Sequence, residues 1–149
     1  MMQLGRFALK GNWDTEPDPH DSIVIRLLPT EDRFYGQGWR PETQHFLREL
    51  EKWVKPDMNV LDFGCGTGIL AIAAAKLGAV VTAVENDPEV CPVASEHFAM
   101  NQVDVQFIAE MPSGTFDVVV ANLDKDDLEA ALPALRRAVG DKGVALWRQ

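Results

Sequence analysis

Val60-Leu61-Asp62-Phe63-Gly64-Cys65-Gly66-Thr67-Gly68-Ile69-Leu70 is the stretch of this chain that decides its fold. An apolar run ends in an acid. Glycines follow at alternate positions, and then an Ala- and Leu-rich helical pattern begins. This spacing predicts a strand, a tight turn and a helix N-terminus. The glycines let the backbone turn sharply and let a ligand lie against the main chain. The helix start presents free N–H groups and a positive dipole end to anionic groups. Asp62 adds negative charge at the same place, which suits a ligand carrying an ammonium group as well as a carboxylate.

Strands and helices alternate on either side of that stretch. Upstream, Phe46, Leu47, Leu50, Trp53 and Val54 recur at helical spacing and predict an amphipathic helix over 41–54. Downstream, the helix after the glycines runs over 69–77 and stops at Gly78. A strand over 80–85 follows, then a helix that becomes regular near Pro92, with Val90, Ala94 and Phe98 facing the sheet. Residues 105–109 and 116–121 read as further strands, the second apolar throughout, as a central strand covered on both faces should be. A helix over 126–139, kinked by Pro133, leads through a turn at 140–143 into a last strand, 144–147. Such alternation implies right-handed βαβ units. The expected fold is a Rossmann-like doubly wound α/β domain, with a mostly parallel sheet and helices on both faces.

Three motifs carry a resemblance to the class I S-adenosylmethionine-dependent methyltransferases. The glycine stretch is similar to their D-x-G-x-G-x-G loop. Val80-Val81-Thr82-Ala83-Val84-Glu85-Asn86-Asp87-Pro88 is similar to their second strand, and Phe116-Asp117-Val118-Val119-Val120-Ala121-Asn122-Leu123 to their fourth strand and the turn after it. Within that superfamily the chain resembles the ribosomal-protein methyltransferases that modify a large-subunit stalk protein. These share an A-N-[IL] turn, here Ala121-Asn122-Leu123, and a glycine-rich segment before the loop, here Tyr35-Gly36-Gln37-Gly38-Trp39-Arg40-Pro41-Glu42-Thr43. Arg40 and Glu42 stand where that group has a histidine and a threonine. The resemblance implies S-adenosylmethionine as cofactor. It places the cofactor on Asp62, Gly64, Cys65, Gly66, Gly68, Glu85, Asn86 and Glu110, with Gly38 folding over its methionine end. It also implies that the antiparallel C-terminal hairpin of the superfamily is missing.

A dinucleotide fold is the competing reading of the loop. Gly66-Thr67-Gly68-Ile69-Leu70-Ala71 fits G-x-G-x-x-A, and Glu85 follows at about the 20 residues expected of a ribose-binding acid. Asp62 argues against it, since a negative charge beside a pyrophosphate is unfavourable. Glu85 can accept hydrogen bonds from two ribose hydroxyls. Asn122 is the candidate catalytic residue. Its carbonyl, with the next backbone carbonyl, can aim the N–H groups of a neutral amine so that the lone pair faces the transferring methyl.

The 149 residues hold 23 acids against 14 bases, a net charge of −9, which disfavours a surface that tracks nucleic-acid phosphates. No apolar run approaches the roughly 18 residues needed to span a bilayer, and the first residues lack a signal-peptide core. Cys65 and Cys91 give no disulfide framework and are expected as free thiols, consistent with the cytoplasm. The acids and His20 within 14–21 match no metal-ligand spacing and read as a solvated loop. His45 and His97 read as structural residues inside helices.

Two functions of different class are open. One is an S-adenosylmethionine-dependent methyltransferase acting on an amine of a protein or small molecule. The other is a non-catalytic S-adenosylmethionine-binding domain serving as partner or sensor. Residues 34–149 are read as the cofactor domain and 1–33 as an extension packing on it, with strands over 5–10 and 22–28. The last strand would leave an apolar edge bare. The expectation is that one or both N-terminal strands, the pair as an antiparallel hairpin, cover it. The alternative is a homodimer joined through that strand, so monomer and homodimer both stand.

Overall fold

The computed structural model describes residues 1–29 and 40–148; the segment Tyr35–Trp39, and with it Gly38, lies outside the described residues. In chain order the strands and helices are β1 (Met2–Leu4), β2 (Phe7–Gly11), β3 (Ile23–Leu27), α1 (Pro41–Trp53), β4 (Asn59–Phe63) and α2 (Ile69–Lys76). They continue as β5 (Val80–Val84), α3 (Cys91–Met100), β6 (Val105–Ile108), β7 (Phe116–Val120), α4 (Lys125–Ala138) and β8 (Val139–Leu146). The central sheet has the order β6-β5-β4-β7-β8, and each neighbouring pair in it is parallel. The order reverses beside β4, whose carboxyl end carries the glycine loop. Open α/β sheets bind ligands at that switch point.

Alternation along the central strands splits the core. Val60, Val81, Ala83, Val118 and Val120 pack with α1, α2 and α3, whereas Leu61, Val84 and Val119 pack with Leu128, Leu135 and Ala138 of α4. Helices therefore cover both faces, as expected of a doubly wound sheet. α4 contains Pro133 within its span, and Pro92 sits in the first turn of α3, where its missing N–H has no helical partner to lose. Trp53 departs from the expected core stripe of α1. It is 39% exposed, donates Nε1–H to Glu49 at 2.9 Å and lies under the Lys52 ammonium.

The N-terminal strands form a separate three-stranded sheet of order β1-β2-β3. Here the structure overturns two expectations. β2 and β3 pair in parallel, and β1 supplies the antiparallel partner of β2. The sheet lies against α1, α2 and α3, so it does not cover β8. The reason is apolar content. Leu4, Phe7, Leu9, Ile25 and Leu27 are all buried in one cluster with the three helices, which a ribbon at the rim of β8 could not achieve. α2 consequently lies between two sheets, with Ile69 through Ala74 all buried.

The loop between β2 and β3 folds back on its own strands. Lys10 and Arg26 are register neighbours, and Asp18 sits across both, 2.8 Å from the Lys10 ammonium and 2.9 Å from the Arg26 guanidinium. Lys10 also donates to the Glu16 carbonyl, and Asp14 pairs with the chain's amino terminus at 3.0 Å. These acids are spent on charge pairing.

β8 begins five residues before its expected start, directly after α4 (Val139 rather than Val144). The turn over 140–143 survives as a bulge, with Val139 paired to Phe116 and Val144 to Val118. Asp141 and Lys142 are exposed at the bulge. Bulges and charges are what discourage a bare edge from pairing with another chain.

Candidate functional site

The carboxyl ends of β4, β5, β6 and β7 meet around the glycine loop. Gly64 and Cys65 both donate backbone N–H to the Val84 carbonyl, at 2.8 and 2.9 Å, which fastens the loop to the end of β5. Gly64 has φ +73°, and a Cβ there would strike the Leu123 side chain. Only glycine lets the turn after β7 close over the loop. Gly68 has φ +89° and caps α2, and a Cβ on it would meet the Phe98 ring at 2.6 Å.

Glu85 is the hub of this end of the sheet. Its Oε1 accepts the Gly66 N–H at 2.9 Å, and its Oε2 accepts those of Asn86 and Asp87 at 3.0 and 3.1 Å. Its backbone N–H in turn reaches the Ile108 carbonyl of β6 at 3.1 Å. A cavity of about 270 Å³ opens beside it, lined by Gly64, Glu85, Asn86, Glu110 and Met111 among others. Four of the sequence candidates thus border one space. Cys65 and Gly68 lie beneath it, buried, and Gly66 is half-buried within the loop.

Asp62 is 1% exposed. Neither carboxylate oxygen has a hydrogen-bond partner among the described residues. Burial raises its pKa to about 7, and the Glu85 charge adds to the shift. The Ala71 amide offsets part of it without reaching hydrogen-bond geometry. An unpaired buried carboxyl is costly and stands ready for a cationic or donor group. The two thiols are free, and burial pushes both upward. Neither is primed as a nucleophile.

Asn122 follows β7 and is 9% exposed. Ala121 before it donates to the Leu146 carbonyl of β8 at 3.0 Å, and Asp124 after it caps α4 by accepting the Asp127 N–H at 3.0 Å. The turn is therefore held at both ends, with Leu123 over Gly64 between them. No group of His, Cys, Asp and Glu among the described residues could hold a metal ion.

Two residues escaped sequence reasoning. Thr43, in the first turn of α1, is fully buried with its hydroxyl unpartnered. Its neighbour Glu42 pairs with Arg148 at 3.8 Å, just past β8, which sets that turn at the same rim of the sheet. The one available signal was its place in the segment before the loop. His97 is a structural residue of α3 with both ring nitrogens engaged. Its partners lie 69 and 30 residues away in sequence, so no local pattern could reveal them.

Known proteins share sequence and fold with this chain. A ribosomal protein L11 methyltransferase of Methylobacillus flagellatus is 42% identical over 135 residues, covering 89% of this chain and 45% of the relative. The crystal structure of a ribosomal protein L11 methylase from Lactobacillus delbrueckii subsp. bulgaricus superposes with a TM-score of 0.80 at 30% identity, over 94% of this chain and 75% of that one. A DhpI–SAH complex superposes with a TM-score of 0.53 at 25% identity, over 66% and 50% of the respective chains. The chain spans about half the length of the curated relatives it matches. The family profile covers residues 2–147, and the chain belongs to the ribosomal protein L11 methyltransferase (PrmA) family.

Proposed function

We propose that this chain binds S-adenosylmethionine at the glycine loop and directs its methyl group to an amine of a protein, with ribosomal protein L11 the first acceptor to test. The observation that carries the reading is the meeting of Gly64, Glu85, Asn86 and Glu110 around one cavity, with the Asn122 turn closed over Gly64. The cofactor supplies an electrophilic methyl on a sulfonium. Glu85 has lone pairs beyond its three backbone bonds with which to accept ribose hydroxyls. Glu110 borders the same cavity and is the candidate contact for the adenine amino group. Gly64 and Gly66 expose main chain to the ligand, Asp62 supplies an unpaired carboxyl beneath it, and Gly68 opens α2. Asn122 accepts N–H bonds from the incoming amine and aims its lone pair at the methyl. The amine's surplus proton passes to solvent.

We place the protein in the cytoplasm, where its acceptor would be made. No helix among the described residues is long and apolar enough to cross a membrane. Residues 1–33 are proposed to serve as an extension that stabilises the cofactor domain.

Calorimetric titration with S-adenosylhomocysteine tests the cofactor. Glu85→Ala should weaken binding by about 1–3 kcal/mol, the value of hydrogen bonds to a charged acceptor. Preference for NAD would refute the reading. With labelled S-adenosylmethionine and L11, Asn122→Ala should bind the cofactor normally and fail to transfer. Binding without turnover in the wild type would favour a cofactor-binding module instead.

A further inference from the structure

α3 closes the outer edge of β3 with side chains in place of a fourth strand. Asn101 Oδ1 accepts the Arg26 N–H at 2.8 Å, and its Nδ2 donates to the Arg26 carbonyl and to the His97 carbonyl, each at 2.8 Å. One turn earlier, His97 Nε2 accepts the Leu28 N–H at 2.9 Å, and its Nδ1 lies 2.7 Å from the Thr67 carbonyl. Thr67 stands between Gly66 and Gly68, so the ring spans from the end of β3 to the cofactor loop. Both partners dictate its chemistry. A backbone N–H can only donate, and a carbonyl can only accept. The ring must therefore be neutral, with its proton on Nδ1 and a lone pair on Nε2.

We propose that His97 is a positioning residue for the cofactor loop: its neutral ring ties the end of β3 to Thr67, and protonation at acid pH breaks that tie and weakens cofactor binding. An imidazolium has no acceptor, so protonation sets two N–H groups against each other at Leu28. The ring is 1% exposed, which resists charging. Burial lowers its pKa most, while the Thr67 carbonyl and the Glu96 carboxylate push the other way. On the elements packed against α3, the charged groups are Lys76 of α2, bonded to the Val24 carbonyl, and Arg26 of β3, paired with Asp18.

The inference rests on the proposed cofactor site, and the test separates the two. S-adenosylhomocysteine is titrated into the full chain from pH 8 to pH 5.5, with wild type, His97→Gln and His97→Asn. Gln can still accept from Leu28 and Asn can still donate to Thr67, but neither titrates. Wild-type affinity should fall more than that of either variant, by less than about tenfold at pH 5.5 because burial holds the ring's pKa below its ordinary value. Equal pH profiles would overturn the proposal. Absence of binding at pH 8 would count against the cofactor reading alone. The tie is then judged without ligand, by NMR on the wild type. The His97 ring should show a proton on Nδ1, and the amides of 64–68 should shift with the same midpoint as the ring. A proton on Nε2, or loop amides indifferent to the ring's titration, would sink it, and this readout needs no variant that folds.

Discussion

The two faces of the central sheet are finished differently. On one face, α2 is enclosed between the central sheet and the three-stranded sheet, and its residues from Ile69 to Ala74 are all buried. On the other, α4 buries only Leu128, Leu135 and Ala138, and a groove of about 440 Å³ runs beside it past Leu132 and Trp147. The contrast explains the two helices' sequences. α4 is amphipathic because half of it meets water. α2 has no polar face because it has no wet side, as expected of a helix inside a core. Stability is concentrated on the α2 face, while the proposed cofactor site lies at the rim above it.

Four experiments can break or sharpen this contrast. Deleting residues 1–28 should have the largest effect. It strips Phe7, Leu9, Ile25 and Leu27 from the shared core and bares α2. The truncated chain should be insoluble or lack a cooperative melt, read from soluble yield and circular dichroism. A well-folded product would mean that the second sheet is an ornament. Next in size, Phe7→Ala should lower stability by about 3–5 kcal/mol in urea titration, as for other buried Phe deletions. Leu132→Ala in the groove of α4 should cost about 1 kcal/mol or less, since little packing is lost there. Similar losses at both sites would erase the difference between the faces.

The third effect is a pH slope. Asp62 has a folded pKa of about 7, above its unfolded value. Its contribution is therefore fully present below the unfolded pKa of about 3.9 and is lost as pH rises through about 7. His97 acts in the opposite sense. Burial holds its pKa down, so its contribution is present above about 6.5 and is lost as pH falls. Asp62→Asn should remove the first slope, shifting relative stability by about 2–4 kcal/mol between pH 4 and pH 8. A difference from wild type that does not vary with pH would place the Asp62 carboxyl in a wetter setting. Smallest is Glu42→Gln at the rim, which should change stability by less than about 1 kcal/mol, as exposed ion pairs do. A larger loss in thermal melts would show that Arg148 anchors α1 more firmly than a surface pair.

Local chemistry made most of the central sheet legible. The glycine loop, the strand-end acid at Glu85 and the turn at Asn122 each announce themselves within a dozen residues. The N-terminal strands did not, because alternating apolar residues state that a face is buried and not against what. The all-apolar α2 was the available clue. A helix with no polar stripe requires cover on two sides, and β1, β2 and β3 were the material to supply it. Asp62 was legible as an acid at the loop. Its burial was not, since that depends on how closely α2, through Ala71, packs against the end of β4. The bulge in β8 was hidden for a related reason. Gly140 to Gly143 reads as a turn in any context, and only the register with β7 makes it an interruption inside a strand.

The side-chain closure of β3 also has a consequence in time. Residues 1–29 leave the ribosome before α1, α2 and α3, and among the described residues the last groups to fasten them, His97 and Asn101, are made roughly 70 residues later. The three-stranded sheet buries its apolar residues in one cluster with the helices α1, α2 and α3. Its apolar face must therefore wait, exposed, until α1, α2 and α3 have emerged. Parallel pairing of β2 with β3 adds a non-local closure that a hairpin would avoid. Of the strands described here, the three made earliest are thus the last to be secured.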